Sequence, residues 1–138
     1  MSHLIDTNVI SELRKGSRCH PSVARWFADV ADDDLFLSVL TIGELRRGID
    51  SLQRRDSVSA AALNRWFRTL IESFEDRILA VDRPVAEEWG RLNVPNPLPV
   101  VDGLLAATAK THGLSLVTRN TKHVSATGVS YVNPFLPL

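Results

Sequence analysis

Five short apolar runs alternate with longer stripes of helical spacing along this chain, and that alternation leaves few folds open. The runs are Leu4-Ile5, Leu35-Phe36-Leu37-Ser38-Val39, Ile78-Leu79-Ala80-Val81, Leu116-Val117-Thr118 and Ser130-Tyr131-Val132. Between them, Val9, Ile10 and Leu13 fit one helix face that stops near Gly16. Val23, Phe27 and Val30 fit a second helix before the acidic turn Asp32-Asp33-Asp34. Leu45, Ile49 and Leu52 give another stripe, and Leu63, Trp66, Phe67, Leu70, Ile71 and Phe74 give the clearest, at spacings of three and four. A short helix follows the third run, with Asp82 as N-cap and Pro84 in its first turn. Asn93 to Pro99 is a proline-broken loop. A last long helix runs from about Val100 to His112, with Gly113 placed to cap it. Strands that alternate with helices predict an α/β fold, a parallel sheet covered on both faces.

The chain has 138 residues, which suits one domain over 1–138 with a sizeable core. Sixteen Lys+Arg balance sixteen Asp+Glu, so bulk charge gives no sign of a nucleic-acid surface, and any such surface must be local. Cys19 is the only cysteine, which excludes an internal disulfide and a Cys-rich zinc site and fits a reducing compartment. No run approaches the length of a membrane span, and the residues before Asp6 lack the basic flank and long apolar core of a signal peptide. A cytoplasmic protein without a membrane segment is expected.

Four polar groups stand where the strand-like runs end or just beyond. Asp6 follows Leu4-Ile5, Glu44 follows Leu40-Thr41-Ile42-Gly43, Asp102 follows Pro99-Val100-Val101, and Asn120 follows Leu116-Val117-Thr118-Arg119. In an open α/β sheet such places gather at the carboxyl ends of the strands, where ligands bind. Carboxylates brought together there repel one another, and a hard cation such as Mg²⁺ or Mn²⁺ neutralises them. That combination points to metal-assisted chemistry on phosphate esters. Each residue also has an ordinary structural reading. Thr41-Ile42-Gly43-Glu44 has the spacing of a capping box. Asp6 suits a helix cap, Asp102 a first helical turn, and Asn120 a turn. Four such residues beside different strands, all at one end, are harder to assign to capping alone.

The basic residues Arg46, Arg47, Arg54, Arg55, Arg65 and Arg68 are placed to track a phosphate backbone, but a solvated helix face is the favoured reading. His123 reads as an exposed loop residue before it reads as a ligand. Trp26, Trp66 and Trp89 lie on apolar stripes and read as core.

Leu4-Ile5-Asp6-Thr7-Asn8-Val9-Ile10-Ser11-Glu12-Leu13, Thr41-Ile42-Gly43-Glu44-Leu45-Arg46-Arg47-Gly48, Val101-Asp102-Gly103-Leu104-Leu105-Ala106-Ala107-Thr108-Ala109 and Leu116-Val117-Thr118-Arg119-Asn120 resemble, in order, the motifs of PIN-domain ribonucleases. They are most similar to VapC-type toxins of the FitB-like branch, whose C-terminal strand ending Val132-Asn133-Pro134-Phe135 also resembles. The resemblance implies a PIN-like α/β/α sandwich with a five-stranded parallel sheet. It implies a Mg²⁺- or Mn²⁺-dependent endoribonuclease that hydrolyses RNA, usually a homodimer, held inactive by a cognate antitoxin protein in a toxin–antitoxin assembly. Asp6, Glu44 and Asp102 match three acidic metal ligands, and Asn120 falls where many members carry a fourth acid. Other members carry an aspartate three positions later, where this chain has His123. Thr118 matches a hydroxyl residue often found beside the site.

Competing readings fit less well. A phosphohydrolase of the haloacid dehalogenase type needs an aspartate two residues after the first, where Asn8 stands. A phosphoacceptor receiver module needs an acidic pair after the first strand, which Asp6 lacks, and its phosphoacceptor would have to be Asp82, whose neighbour Pro84 favours a cap. The remaining alternative is a PIN fold that binds RNA or a partner and cleaves little, because the fourth acid is absent.

Overall fold

The computed structural model describes residues 1–137. Its five strands are β1 (His3–Ile5), β2 (Leu35–Ser38), β3 (Ile78–Leu79), β4 (Ser115–Val117) and β5 (Tyr131–Val132). They form one sheet in the order β3-β2-β1-β4-β5, and every neighbouring pair is parallel. The helices are α1 (Thr7–Leu13), α2 (Pro21–Ala28), α3 (Val39–Gln53), α4 (Ser57–Phe74), α5 (Arg83–Leu92), α6 (Val100–His112) and the short α7 (Thr121–Val124). This is the five-stranded parallel α/β architecture expected from the alternation.

Strand periodicity of two divides the core. Ile5, Leu35, Leu37 and Val117 point to one face and pack with Val9, Ile10, Val23, Leu70 and Phe74 from α1, α2 and α4. Leu4, Phe36 and Leu116 point to the other, against Leu105, Ala106 and Ala109 of α6 and Val124 of α7. Both faces are therefore covered, which is why the strands read as unbroken apolar runs. Each fully buried Leu or Ile in these layers contributes about 1.5–3 kcal/mol of transfer free energy.

Helix ends follow the local chemistry. Asp82 accepts from the Val85 amide and caps α5, and Gly113 takes the left-handed conformation that ends α6. Asp56 caps α4 through the Ser59 amide. At the far end of α4, Arg77 donates to the carbonyls of Asp32, Leu35 and Ser73, tying that helix to the entry of β2. The helices α5 and α6 approach closely at Gly103: a Cβ there would lie 3.2 Å from the indole of Trp89.

Several boundaries differ from the expected runs. Val39 is the first residue of α3 rather than the end of β2, Ala80 and Val81 lie past β3, and Thr118 follows β4. Val30 lies beyond α2, which stops at Ala28. In the runs of β2, β3 and β4 the apolar stretch continues for a residue or two past the strand, so hydrophobicity alone overestimates their length. Among the described residues no helix is long and apolar enough to cross a membrane.

The sheet order fixes where a ligand site belongs. The chain builds outward from β1 through β2 to β3, then returns to the opposite side of β1 to lay down β4. The order reverses between β1 and β4, and the crevice beyond the carboxyl ends of strands at such a reversal is where open α/β sheets bind ligands.

Candidate active site

Asp6 lies in that crevice. It directly follows β1, its amide donates to the Val117 carbonyl of β4, and its residue is only 6% exposed. Oδ1 accepts from the Thr7 amide at 2.7 Å. Oδ2 accepts from the Thr118 hydroxyl at 2.7 Å and from the Asn8 side-chain amide at 3.3 Å. The Thr118 hydroxyl in turn accepts from the Asn120 amide at 3.0 Å, and the Asn8 oxygen accepts from the Arg119 amide at 3.2 Å. A lattice of short-range bonds thus joins the ends of β1 and β4.

Burial pushes the Asp6 carboxyl above the usual carboxylate range. The bonds from Thr118 and Thr7 oppose the rise, and the charges of Asp102 and Glu44 add to it. Desolvation wins even against good hydrogen bonds, as a buried site facing like charge requires. The same contributions place all three carboxylates in one electrostatic neighbourhood.

Glu44 arrives from α3. The expected capping box at Thr41–Glu44 is not what positions it. The helix already begins at Val39, capped by Ser38, whose hydroxyl accepts from the Leu40 amide at 3.0 Å. Thr41 and Glu44 are therefore inside the helix and face Thr7 at the start of α1. Glu44 Oε1 accepts from the Thr7 hydroxyl at 2.5 Å, and the Thr7 and Thr41 hydroxyls are hydrogen-bonded at 3.2 Å. Asp102 sits in the first turn of α6, whose N-cap is Pro99 and has no side-chain cap. Asp6 is a helix cap as well as a site residue, since its carboxylate accepts from the first amide of α1.

Asp102, Arg119, Asn120, Lys122 and His123 line one open cleft. Asn120 is the N-cap residue of α7 without a side-chain cap bond. Asn120 and His123 thus share a cleft with Asp102. Sequence reasoning does not single out Thr7, Asn8 or Thr41, yet they link the carboxylates. The signal for two of them is the unbroken polar triplet Asp6-Thr7-Asn8 after an apolar run. Trp66 is also less enclosed than its stripe suggests: it lines the grooves beside α4.

Among the described residues no three His, Cys, Asp or Glu side chains converge tightly enough to hold a cation by themselves. The donor chemistry nevertheless fits a hard one. Every candidate is an oxygen, two carboxylates raise the proton affinity of a third that is buried, and no thiolate is near. Such a set suits an ion that keeps several waters, as Mg²⁺ does, better than a fully dehydrated cage.

A parallel sheet of this order, with acidic side chains at the reversal point, defines an α/β protein with an acidic crevice at the carboxyl ends of its strands. The chain belongs to the PIN-domain family, whose model matches residues 3–128. It is 32% identical to Toxin FitB of Neisseria gonorrhoeae over 137 residues, 96% of this chain and 97% of that protein. It is 30% identical to VapC ribonuclease Y4jK of Sinorhizobium fredii over 141 residues, 97% of this chain and 98% of that one. Its fold is similar to the structure of FitAB bound to IR36 DNA fragment, with a TM-score of 0.88 and 30% identity, covering 99% of this chain and 97% of that chain.

Proposed function

We propose that this chain, as a single PIN domain over 1–138, is a divalent-metal-dependent endoribonuclease and the toxin of a toxin–antitoxin pair. The observation that carries the reading is Asp6: a buried carboxylate at the sheet's reversal point, raised in pKa by burial and by the charges of Asp102 and Glu44. Divalent-metal dependence is general to PIN-domain ribonucleases, and the relatives named a toxin and a ribonuclease support the activity. Mg²⁺, with Mn²⁺ as substitute, is the ion the oxygen donors suit. Asp6 and Asp102 would hold it, in part through waters. When bound, it supplies acidification of water and neutralisation of phosphoryl charge.

The chain's own groups do the rest. Thr7 donates its hydroxyl proton to Glu44 Oε1 and fixes the carboxylate. Oε2 has no protein partner among the described residues, so it is available to orient a water and take its proton. The oxygen of that water bonds to phosphorus as the phosphodiester's leaving oxygen departs. Thr118 and Asn8 keep Asp6 aimed into the crevice. Asn120 adds an amide oxygen without charge to the Asp102 side.

The partner is a small antitoxin protein that blocks the crevice, and the likeness to FitAB supports it. An inhibitor aimed at these carboxylates needs a cation, arginine above all. The assembly is a homodimer, and the location is the cytoplasm, where the RNA is.

The test is cleavage of mixed RNA by pure protein. Cleavage should require Mg²⁺ or Mn²⁺, vanish with chelator, and fall by about 10²–10³-fold in Asp6→Asn, the usual size of losing one electrostatic element of a site. Full activity in excess chelator contradicts the metal role. RNA binding with no cleavage under any divalent ion favours a binding module instead.

A further inference from the structure

We propose that Arg14 and Arg55 form a subsite for an RNA phosphate other than the scissile one, in the groove that opens beside Glu44; this rests on the ribonuclease reading above. The groove measures about 310 Å³ and lies between α1, α3 and α4. Thr7 and Glu44 stand at one part of its wall, Arg14 and Arg55 at another, and Leu63 and Trp66 contribute apolar surface. It is therefore continuous with the carboxylate crevice through the same Thr7–Glu44 pair that belongs to the site.

The two arginines differ from the paired ones in what they touch, and from the other unpaired ones in where they lie. Arg46 is spoken for: it pairs with Asp50 at 2.9 Å, donates to Asn64 at 3.0 Å and covers the Phe67 ring at 5.3 Å. Arg77 is consumed by three carbonyls. Arg83 and Arg91 face Glu87 and Glu88. Arg14 and Arg55 have no ion pair and no side-chain hydrogen bond among the described residues, yet both line one groove. Arg47, Arg54, Arg65 and Arg68 do not line it. Sequence reasoning favours a solvated face for the whole basic set, and Arg14 and Arg55 are indeed exposed; what sets them apart is that both border this groove.

Each arginine also stands just past a helix C-terminus, where the dipole favours a cation. That explains one charge per helix. It does not explain why two unpaired guanidiniums share a groove with an active-site carboxylate. An anion seated in the groove would answer both charges, and guanidinium matches phosphate with paired donors. The path has a direction. From Thr7 to Arg14 is seven residues of helix, about 10 Å at 1.5 Å per residue, so the anion lies beyond the reacting phosphate. The apolar surface of Trp66 and Leu63 offers a face for a base of the same strand, which is how single strands are held without sequence reading. On the other side of the carboxylates, Arg119 and Lys122 line the cleft of Asp102. A strand entering by one groove and leaving by the other would carry its scissile phosphate past Asp6.

The experiment measures affinity for a labelled single-stranded RNA across a range of salt, in Asp6→Asn protein so that the strand stays whole. Arg14→Gln with Arg55→Gln should weaken binding roughly tenfold at low salt. It should also flatten the plot of log affinity against log salt by about 0.7 for each phosphate that is no longer neutralised. Arg83→Gln with Arg91→Gln removes the same charge elsewhere and should leave the slope intact. In cleavage assays the Arg14/Arg55 pair should raise KM more than it lowers kcat. An unchanged slope, or an equal loss in the control pair, overturns the subsite while RNA cleavage by the parent leaves the ribonuclease reading standing. Loss of inhibitor binding with RNA binding intact assigns the groove to a protein and also overturns it. A parent that neither binds nor cleaves RNA removes both.

Discussion

The two sides of Asp6 are built differently. On the α3 side, Glu44 is pinned by Thr7, and Thr7 is linked to buried Thr41, so its position is set before anything binds. On the α6 side, the carboxylate of Asp102 and the side-chain amide of Asn120 make no hydrogen bonds among the described residues and open on a cleft. One side is preorganised, and the other is left to be ordered by what arrives. Preorganised groups suit aiming a reactant, since they cost no reorganisation during the reaction. Loosely held oxygens suit a hydrated cation that exchanges.

The strongest way to break this contrast is to cut the bonds that define the fixed centre. Thr118→Val removes the shortest bond to Asp6 Oδ2 at a site with no solvent to replace it, and should cost about 1–3 kcal/mol of stability. Thr7→Val should cost less, because Glu44 is half-buried and water can take over, but it should lower kcat by freeing Glu44. Urea melts and initial rates on both variants check this. Equal stability losses with unchanged kcat for Thr7→Val would mean that Glu44 is not aimed by Thr7.

The loose side is sharpened by adding charge to it. Asn120→Asp is nearly isosteric and puts a fourth acid in the cleft of Asp102. A further charge near a partly hydrated cation, less the repulsion it adds, should tighten divalent binding by tenfold or less, about 1.4 kcal/mol. Calorimetric titration with Mg²⁺ and Mn²⁺ reads it directly. Superimposable isotherms for the two proteins would remove Asn120 from the metal side.

The smallest expected effect is on metal-free stability against pH. The folded chain holds the Asp6 proton to higher pH than the unfolded chain does, because burial raises its pKa. Between the two pKa values the folded state carries more protons, so stability falls as pH rises through that window and then stays level. Below the unfolded value the penalty is absent. Asp102→Asn removes one of the charges that raise Asp6 and should return about 1 kcal/mol or less at neutral pH in chelator. A net loss there would show that Asp102 serves the α6 N-terminus more than it burdens the site.

Much of this is readable in the chain, and the limits are physical. The parallel sheet follows from apolar runs between helical stripes because both faces are covered, and Asp82 and Gly113 mark helix ends by local chemistry alone. Asp6 stands out because it ends the strand that becomes central. The capping-box reading of Thr41 to Glu44 fails because Ser38, still in β2, already caps α3, and only pairing of β2 decides where that helix begins. The roles of Thr7, Asn8 and Thr41 are hidden because their partners lie across the crevice: Thr7 and Glu44 are 37 positions apart. The pairing state of an arginine is equally invisible, and it is what separates Arg55 from Arg46.

The bond between Thr118 and Asp6 spans 112 positions of chain. A ribosome adds about 5–20 residues per second, so Asp6 emerges on the order of 5–20 s before the hydroxyl that steadies it. Throughout that interval the chain has no β4, no reversal point and no Asn120 side to the crevice. Catalytic competence therefore waits on the synthesis of β4, and a message truncated before β4 is decoded directs the making of an inert polypeptide.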